Sequence, residues 1–261
     1  MLIPLILGLI EGVTEFLPVS STGHLILAGH LLGFTGDKAS TFEIFIQMGA
    51  ILAVLVVYFG RFAGLLNFKS QTGFSGLRGL SLLAVTTFPA LVAGLGLHSF
   101  IKHHLFNPLT VAVGFVAGGV WILIAEKSTA PKKYSSVDQL SWKEAAGIGF
   151  FQCLALWPGF SRSGATILGG MSLGLDRKTA AEYSFFAALP VLSAAALLDL
   201  LKSLHTLQGP DLPFFALGFV VSFLSAWAVI RFFVGFVSRH SLSVFAWYRF
   251  AVAALIFFIL R

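Results

Sequence analysis

Two glutamates near the start of the chain, Glu11 and Glu15, are the first candidates for chemistry, because they are four residues apart in an apolar stretch. On a helix this spacing places both carboxylates on one face, where like charges repel. A divalent cation such as Mg²⁺ or Ca²⁺ between them would remove the repulsion and take water and phosphate oxygens as its other ligands. Alternatively, one carboxyl group is protonated, or one glutamate is buried and hydrogen-bonded to the backbone.

A hydroxyl-rich turn follows the glutamates. It contains Ser20, Ser21 and Thr22 after Pro18, and His24 comes two residues later. If a helix restarts here, its free N–H groups favour an anion, and the hydroxyls add donors or serve as N-caps. His24 fits three roles: a general acid or base, a nucleophile toward phosphorus, or a structural histidine.

A second turn of similar composition lies in the other half of the chain: Pro158-Gly-Phe-Ser161-Arg162-Ser163-Gly164-Ala-Thr166. Its Arg162 is the only lysine or arginine between Lys143 and Arg177. An arginine flanked by hydroxyls and a glycine at a helix start is suited to hold a phosphate group. A salt bridge from Arg162 to Glu11 or Glu15 is the alternative role, and the two roles are compatible.

The composition defines the setting of these residues. Charged residues make up 11% of the 261 residues and hydrophobic residues 57%, whereas about 25% of a soluble domain is charged. This excludes a soluble enzyme and a nucleic-acid-binding module, and predicts a polytopic membrane protein of one domain, residues 1–261. The single cysteine, Cys153, excludes an internal disulfide. No Lys or Arg precedes the N-terminal apolar run, so we expect that run to belong to the mature fold.

Apolar stretches of about 20 residues predict the membrane-spanning helices. Six are expected: 43–60, 79–101, 108–125, 183–201, 212–234 and 243–260. Two further stretches, 2–33 and 145–174, are broken by a proline and a Ser-rich run. Irregular backbone is tolerated at membrane depth where protein or a wet cavity surrounds it. Each broken stretch is therefore expected to be a re-entrant hairpin that lines a cavity, with a kinked spanning helix as the alternative.

The two halves of the chain carry the same landmarks at an offset of 139–141 residues: Glu11 and Gln152, Pro18 and Pro158, Asp37 and Asp176, Glu43 and Glu182. Each half has one broken segment and three spans, and because three is odd the second half must be inverted. The predicted fold is therefore an all-α integral membrane protein with an inverted-topology repeat, residues 1–127 and 141–261, of six transmembrane helices plus two re-entrant broken-helix hairpins. Glu43 and Glu182 are expected to open their helices and to cap or brace them, and Arg249 to be mainly structural.

Basic residues in the loops predict the orientation. Ten lysines and arginines fall on one side and four on the other, the ten being in loops 61–78, 127–144, 174–178 and 238–242. The positive-inside rule places the side with ten in the cytoplasm. The first hairpin then enters from outside, the second enters from the cytoplasm, and the two turns meet within the membrane.

These groups together suit phosphoryl transfer or phosphate hydrolysis on a lipid, because they combine an acidic pair for a metal, a hydroxyl or imidazole nucleophile, and an arginine beside helix N-termini. The turns also resemble the motifs of a known family, the bacterial undecaprenyl-diphosphate phosphatases or bacitracin-resistance proteins. The first motif is matched by Glu11-Gly-Val-Thr-Glu15-Phe-Leu-Pro18-Val-Ser-Ser21-Thr-Gly-His24, and the second by the run from Pro158 to Thr166. The resemblance covers nearly the whole chain.

The resemblance implies an enzyme of the bacterial cytoplasmic (inner) membrane that removes one phosphate from undecaprenyl diphosphate and so regenerates the lipid carrier for peptidoglycan synthesis. It also implies dependence on Mg²⁺ or Ca²⁺ and a site open to the periplasmic side. Glu11 and Glu15 would bind metal or handle protons, and Ser21 would be the nucleophile with His24 assisting, although His24 itself or a metal-bound water also fits. With the hydroxyls of the first turn included, the expected substrate-binding residues are Ser20, Thr22, Ser161, Arg162, Ser163, Gly164 and Thr166.

A transporter is the main alternative, because inverted repeats, broken helices and midplane charges are also typical of carriers. A flippase for the polyprenyl phosphate product would combine both functions. A type 2 phosphatidic-acid phosphatase is rejected, because the chain has no Arg-Pro pair and no histidine between Arg162 and His205. The expected partners are a polyprenyl diphosphate lipid and the bilayer, with no nucleic acid, and a homodimer is compatible with the sequence.

Overall fold

The computed structural model describes residues 1–69, 72–127, 132–203 and 211–260. Parts of the predicted loops 61–78 and 127–144, and the last residue of the predicted second repeat, lie outside the described residues. Within the described ranges the structure is all-α, and its β contact is an isolated bridge between Tyr134 and Leu175.

The helices follow the apolar runs of the sequence, because a helix satisfies every backbone polar group without water. They are α1 Leu2–Thr14, α2 Ser21–Leu31, α3 Asp37–Val57, α4 Phe59–Leu65, α5 Gly76–Phe100, α6 Pro108–Lys127, α7 Trp142–Gln152, α8 Arg162–Ser172, α9 Arg177–Ser203, α10 Leu212–Val237 and α11 Ser243–Ile259. A π-helical segment, Ile101–Leu105, follows α5, and short 3₁₀ helices span Val137–Gln139 and Cys153–Leu156.

Five of the described helices are long and apolar enough to cross a membrane: α3, α5, α6, α9 and α10. They agree with five of the predicted spans, so the chain is a multi-pass membrane protein. The sixth predicted span, 243–260, corresponds to α11, which has 17 residues. At 1.5 Å per residue α11 is about 26 Å long, shorter than the hydrocarbon core of about 30 Å. The count of six spans therefore stays a prediction.

Two predicted helix starts are wrong. Glu43 and Glu182 do not open their helices, because α3 begins at Asp37 and α9 at Arg177. In α9 the cap is Asp176, whose Oδ1 accepts a hydrogen bond from Thr179 N–H at 2.7 Å. Hydropathy marks where a helix becomes apolar, whereas its backbone hydrogen bonds continue through the polar turns before that point. For the same reason part of the predicted loop 61–78 is helical, as α4.

The two broken stretches are helical hairpins. The helix α1 packs against α2, and α7 packs against α8. We call residues 15–20, between α1 and α2, the first break, and residues 153–161, between α7 and α8, the second break. Both lie where the prolines and serines of the sequence predicted an interruption.

Each hairpin is set into the rest of the bundle through close helix contacts. The helix α1 packs against α10, and α7 packs against α5. Glycines permit the approach: a Cβ at Gly8 would lie 2.6 Å from the carbonyl oxygen of Gly218, and a Cβ at Gly149 would lie 2.7 Å from that of Thr86. Small residues are the usual means of bringing helices together where lipid removes the hydrophobic driving force.

Candidate active site

A cavity of about 210 Å³ lies where the two breaks meet. Its polar wall comes from both hairpins and from α3: Glu15, Ser20, Ser21, Thr22, Gln47, Gln152, Ser161 and Arg162. Its apolar wall comes from the second break and from α5 and α9, and includes Ala90, Leu156, Trp157, Leu192 and Ala195. The cavity is thus charged on one side and apolar on the other.

A buried ion pair joins the two hairpins at this cavity. Arg162 Nη2 lies 2.9 Å from Glu15 Oε1, and the two side chains are 10% and 6% exposed. Ser21 Oγ donates a hydrogen bond of 2.5 Å to the other carboxylate oxygen, Glu15 Oε2. Glu15 therefore contacts both the candidate nucleophile, Ser21, and the candidate phosphate-binding arginine, Arg162. The sequence left the partner of Arg162 open between Glu11 and Glu15, and the structure has Glu15.

The remaining contacts of Arg162 hold its guanidinium in place. Nη1 donates to the carbonyl oxygen of Ser184 at 2.9 Å and to its hydroxyl at 3.3 Å. The guanidinium also lies 5.8 Å from the ring centre of Phe16, which is fully buried against Phe185. Arg162 is thus fixed by a carboxylate, a backbone carbonyl and an aromatic ring before any ligand binds.

Both breaks use the same backbone conformation. Ser20 and Ser161, the N-caps of α2 and α8, have φ values of 70° and 82°. No other non-glycine residue within the described ranges has a positive φ. Such a conformation costs about 1–3 kcal/mol and is typical of functional sites. It turns each chain sharply at the point where the helix restarts, so that Ser20 and Ser161 both line the cavity.

Three predicted substrate-binding residues do not line the cavity: two of them join the second hairpin to its neighbours, and one takes part in the cap of α8. Ser163 Oγ donates to the carbonyl oxygen of Leu17 at 2.6 Å, which ties α8 to the first break. Gly164 N–H donates to Ser161 Oγ at 3.0 Å, the capping contact of α8. Thr166 Oγ1 hydrogen-bonds Ser184 Oγ at 2.7 Å.

Arg249 on α11 holds both breaks together. Its guanidinium is fully buried and donates to five backbone carbonyl groups at 2.9–3.0 Å: Pro18 in the first break, Gly159 and Phe160 in the second, and Gly114 and Phe115 in α6. Every one of these hydrogen bonds is to backbone, and the guanidinium also lies 5.3 Å from the ring centre of Phe115. Arg249 therefore fixes the geometry of the breaks, as expected for a structural residue. With the bond from Ser163 to Leu17, these contacts confirm that the two breaks meet.

His24 lies outside the cavity wall. Its Nδ1 is 2.7 Å from the carbonyl oxygen of Ser20, and its Nε2 is 2.7 Å from the hydroxyl of Tyr248. The His24 ring also stacks on Tyr248, with ring centres 5.6 Å apart. Both ring nitrogens are therefore engaged by neighbours, and His24 can act on the cavity through Ser20, whose carbonyl it contacts.

Glu11 offers an oxygen that suits a cation. The side chain is 1% exposed, and its Oε1 is without a hydrogen-bond partner among the described residues. Glu15, Glu43 and Arg162 lie within electrostatic range of it. The described residues hold no group of three or more His, Cys, Asp or Glu arranged around a metal. The unpartnered Oε1 of Glu11 fits a cation that takes its other ligands from phosphate and water, as Mg²⁺ usually does. Both oxygens of Glu15 already contact Arg162 and Ser21.

Sequence reasoning did not identify three cavity-related residues. Gln47 and Gln152 line the cavity, and Ser184 positions Arg162. Gln152 entered the sequence argument as a landmark of the repeat alone. The available signal was weak: each is an uncharged polar residue in an apolar segment, and helix periodicity alone does not show which face meets the hairpins.

The fold and the site define a class of protein: a multi-pass helical membrane protein in which two broken hairpins meet at a buried, charged cavity. The family model of the bacitracin resistance protein BacA matches residues 4–255, and the chain belongs to the BacA family.

Relatives with a named activity match over almost their whole length. The undecaprenyl-diphosphatase of Nitratidesulfovibrio vulgaris (strain DP4) is 58% identical over 253 residues, which cover 97% of this chain and 96% of that protein. That of Maridesulfovibrio salexigens is also 58% identical over 253 residues, with the same coverage. That of Lawsonia intracellularis is 48% identical over 261 residues, covering 99% and 98%. The family expected from the two turns is thus confirmed.

Proposed function

We propose that this chain is a membrane phosphatase that hydrolyses undecaprenyl diphosphate to undecaprenyl phosphate and inorganic phosphate. This recycles the lipid carrier of peptidoglycan synthesis and confers resistance to bacitracin. The observation that carries the proposal is the cavity where Arg162, Glu15 and Ser21 meet, in a chain whose relatives are named for this activity. The apolar wall beside this charged wall suits a ligand with an anionic head and a lipid tail.

Three of the side chains at the cavity have a role in this reaction: Arg162, Ser21 and Glu15. Arg162 would bind the diphosphate, because its guanidinium is fixed at the cavity wall. Ser21 Oγ would attack the terminal phosphorus while Glu15 takes the hydroxyl proton. The bond to the bridging oxygen then breaks, and the lipid monophosphate leaves with the electron pair. Water releases the phosphoryl group from Ser21 in a second step. Direct attack by water, activated by Glu15, is the alternative to the serine.

A divalent cation, Mg²⁺ or Ca²⁺, is part of the proposal. Glu11 and Glu15 would hold it, supported by the buried, unpartnered Oε1 of Glu11. When bound, such an ion neutralises charge on the diphosphate. His24 would assist by fixing the backbone at Ser20.

The test is phosphate release by the purified, detergent-solubilised protein given farnesyl or undecaprenyl diphosphate with Mg²⁺. Wild-type protein should release phosphate, and Glu15→Gln should not. Asp37→Asn, at an exposed acidic residue at the start of α3, is the control and should keep wild-type activity. Failure of the wild-type protein to release phosphate from a substrate that it binds would refute the proposed hydrolase. Transport of labelled polyprenyl phosphate across vesicles without hydrolysis would favour the flippase instead.

The finer topology is also proposed: six spans and an inverted repeat of 1–127 and 141–261 in the bacterial inner membrane, with the site open to the periplasm. It is supported by the matched breaks and by the equivalent packing of α1 on α10 and α7 on α5. A Cys153→Ser background with one new cysteine tests it. Thr35→Cys should be labelled from outside intact cells, whereas Ser135→Cys should require permeabilised cells. Both positions are exposed. Labelling of Ser135→Cys, but not of Thr35→Cys, in intact cells would show that the orientation is the opposite of the proposed one.

A further inference from the structure

Gln152 is a buried polar side chain in the cavity wall that the proposed reaction does not use. It is the last residue of α7 and is 1% exposed. Its Nε2 donates to the backbone carbonyl oxygen of Thr86 at 3.2 Å. Turning the amide over would set its oxygen against that carbonyl oxygen, so the contact fixes which end is which. The Gln152 amide group therefore bonds Thr86 through its nitrogen, and its oxygen, Oε1, is the end that does not.

The free end of Gln152 has no partner within the protein. Its Oε1 is buried and makes no hydrogen bond to any described residue. Buried polar atoms are almost always paired, and an unpaired acceptor costs free energy. In the wall of a ligand cavity, the natural partner is a ligand that carries a hydrogen to donate.

A second unpaired atom in the same wall defines the ligand further. Arg162 Nε is buried without a hydrogen-bond partner among the described residues, although Nη1 and Nη2 are both engaged. Gln152 and Arg162 both belong to the cavity wall, and each carries one buried atom without a partner among the described residues: a neutral acceptor and a cationic donor. A fully ionised phosphate satisfies the first and not the second, because all its oxygens are acceptors. A phosphate that keeps one P–OH group satisfies both.

We infer that Gln152 Oε1 accepts a hydrogen bond from the P–OH group of a protonated phosphate whose ionised oxygen binds Arg162 Nε–H. Inorganic phosphate carries such a group throughout the neutral range. The inference deepens the proposed function, on which it rests, because inorganic phosphate is the product of that reaction. It makes Gln152 the residue by which the cavity distinguishes hydrogen phosphate from anions of similar shape that have no hydrogen to give.

Sulfate is the matched probe, because it resembles phosphate in size and charge but carries no O–H at neutral pH. Binding of ³²P-phosphate and ³⁵S-sulfate to the purified, full-length protein is measured by equilibrium dialysis at pH 8, without substrate. Wild-type protein should prefer phosphate by roughly tenfold, the value of one hydrogen bond between a neutral acceptor and a charged ligand. In Gln152→Met, which keeps the shape and loses the acceptor, the preference should fall to near one.

Two further variants make the result specific. Gln152→Glu restores an acceptor oxygen, so it should keep the preference while both anions bind more weakly. Gln139→Met makes the same change at an exposed glutamine outside the cavity wall and should keep both the preference and the affinity. The lipid head group is distinguished by competition with farnesyl phosphate at pH 5.5 and pH 8, because a phosphomonoester loses its P–OH with a pKa of about 6. Stronger competition at pH 5.5 in wild-type protein but not in Gln152→Met assigns the same contact to the lipid phosphate, whereas pH-independent competition leaves free phosphate as its source.

Equal affinity of wild-type protein for the two anions would overturn the inference, as would a preference that survives Gln152→Met. Loss of Mg²⁺ affinity in Gln152→Met with an unchanged preference would assign the oxygen to a cation instead. Because dialysis needs no turnover, the inference and the proposed hydrolysis fail separately. If Gln152→Met does not fold, the wild-type ratio and Gln152→Glu still decide the matter.

Discussion

The two hairpins restart their second helices with the same backbone turn and carry opposite charges at the cavity. Each restarts a helix at a serine with positive φ, and each follows a proline by two or three residues. The first hairpin carries the carboxylates of Glu11 and Glu15, whereas the second carries Gln152 and the guanidinium of Arg162. The shared element is therefore a backbone turn that brings a helix start to the cavity, and the chemistry comes from side chains in which the two hairpins differ.

The largest effect is expected from removing the positive charge that the second hairpin places at the cavity. Arg162→Ala leaves Glu15 buried and unpaired, which costs about 3–5 kcal/mol, and removes the phosphate-binding group. Phosphate release should fall at least roughly a hundredfold, and Arg162→Lys should not restore it because it loses the planar donor fork. Arg231→Ala, at an exposed arginine over Trp227 on α10, is the control. Activity of Arg162→Ala above a tenth of wild type would remove Arg162 from the site.

The next effect compares Glu11 with Gln152, the residue at the matching position of the second hairpin. Only Glu11 carries a charge that could bind a cation. If the cation belongs to the first hairpin, chelation should lower phosphate release at least roughly tenfold, and Glu11→Gln should raise the Mg²⁺ concentration needed for half-maximal activity by a similar factor. Gln152→Met is the matched variant and should leave that concentration unchanged. An unaltered Mg²⁺ requirement in Glu11→Gln would place the cation elsewhere.

A smaller effect concerns the histidine that the first hairpin has and the second lacks. Tyr248→Phe removes one hydrogen bond to His24 Nε2, worth about 0.5–1.5 kcal/mol. If His24 acts by fixing the backbone at Ser20, phosphate release should fall by roughly tenfold or less, and His24→Ala should lower it further. A loss in Tyr248→Phe as large as that in Arg162→Ala would instead show that the Tyr248 hydroxyl takes part in the reaction.

The smallest effect separates the two serines at the turns. Ser161 Oγ accepts a hydrogen bond from Gly164 N–H, whereas Ser20 makes no such side-chain cap. Ser161→Ala should therefore lower the free energy of unfolding by about 1 kcal/mol, a few degrees in thermal unfolding, while Ser20→Ala changes it little. Thermal unfolding in detergent measures both. Equal losses would mean that the two caps are equivalent after all.

Much of the fold could be predicted from the sequence, because in a membrane the apolar segments and their breaks carry strong signals. Pro18 and Pro158 located the breaks, and the charges indicated an ion pair from Arg162 to Glu11 or Glu15, of which the structure has the pair with Glu15. Helix starts could not be predicted in this way, as Asp37 and Arg177 show, because polar residues occupy the first turns of α3 and α9.

The sequence predicted which residue types belong to the site better than it predicted which side chains line the cavity. Ser163 and Thr166 belong to the expected motif but turn away from the cavity toward Leu17 and Ser184. Gln47 lines the cavity from α3, a helix in which the sequence predicted no site residue. Which hydroxyl binds a ligand and which joins two hairpins depends on packing between segments far apart in the sequence, and neither spacing nor composition records that packing.

The contacts of Arg249 also bear on how the protein can move. One guanidinium holds Pro18 on the first hairpin and Gly159 on the second. Sliding one hairpin past the other would strip a buried cation of hydrogen bonds worth about 1.5–3 kcal/mol each, with no water to replace them. We therefore expect the two hairpins to move together, because Arg249 on α11 joins them. A carrier that rocks one hairpin against the other would have to break these hydrogen bonds of Arg249 in every transport cycle. Hydrolysis of a head group between the hairpins leaves them intact.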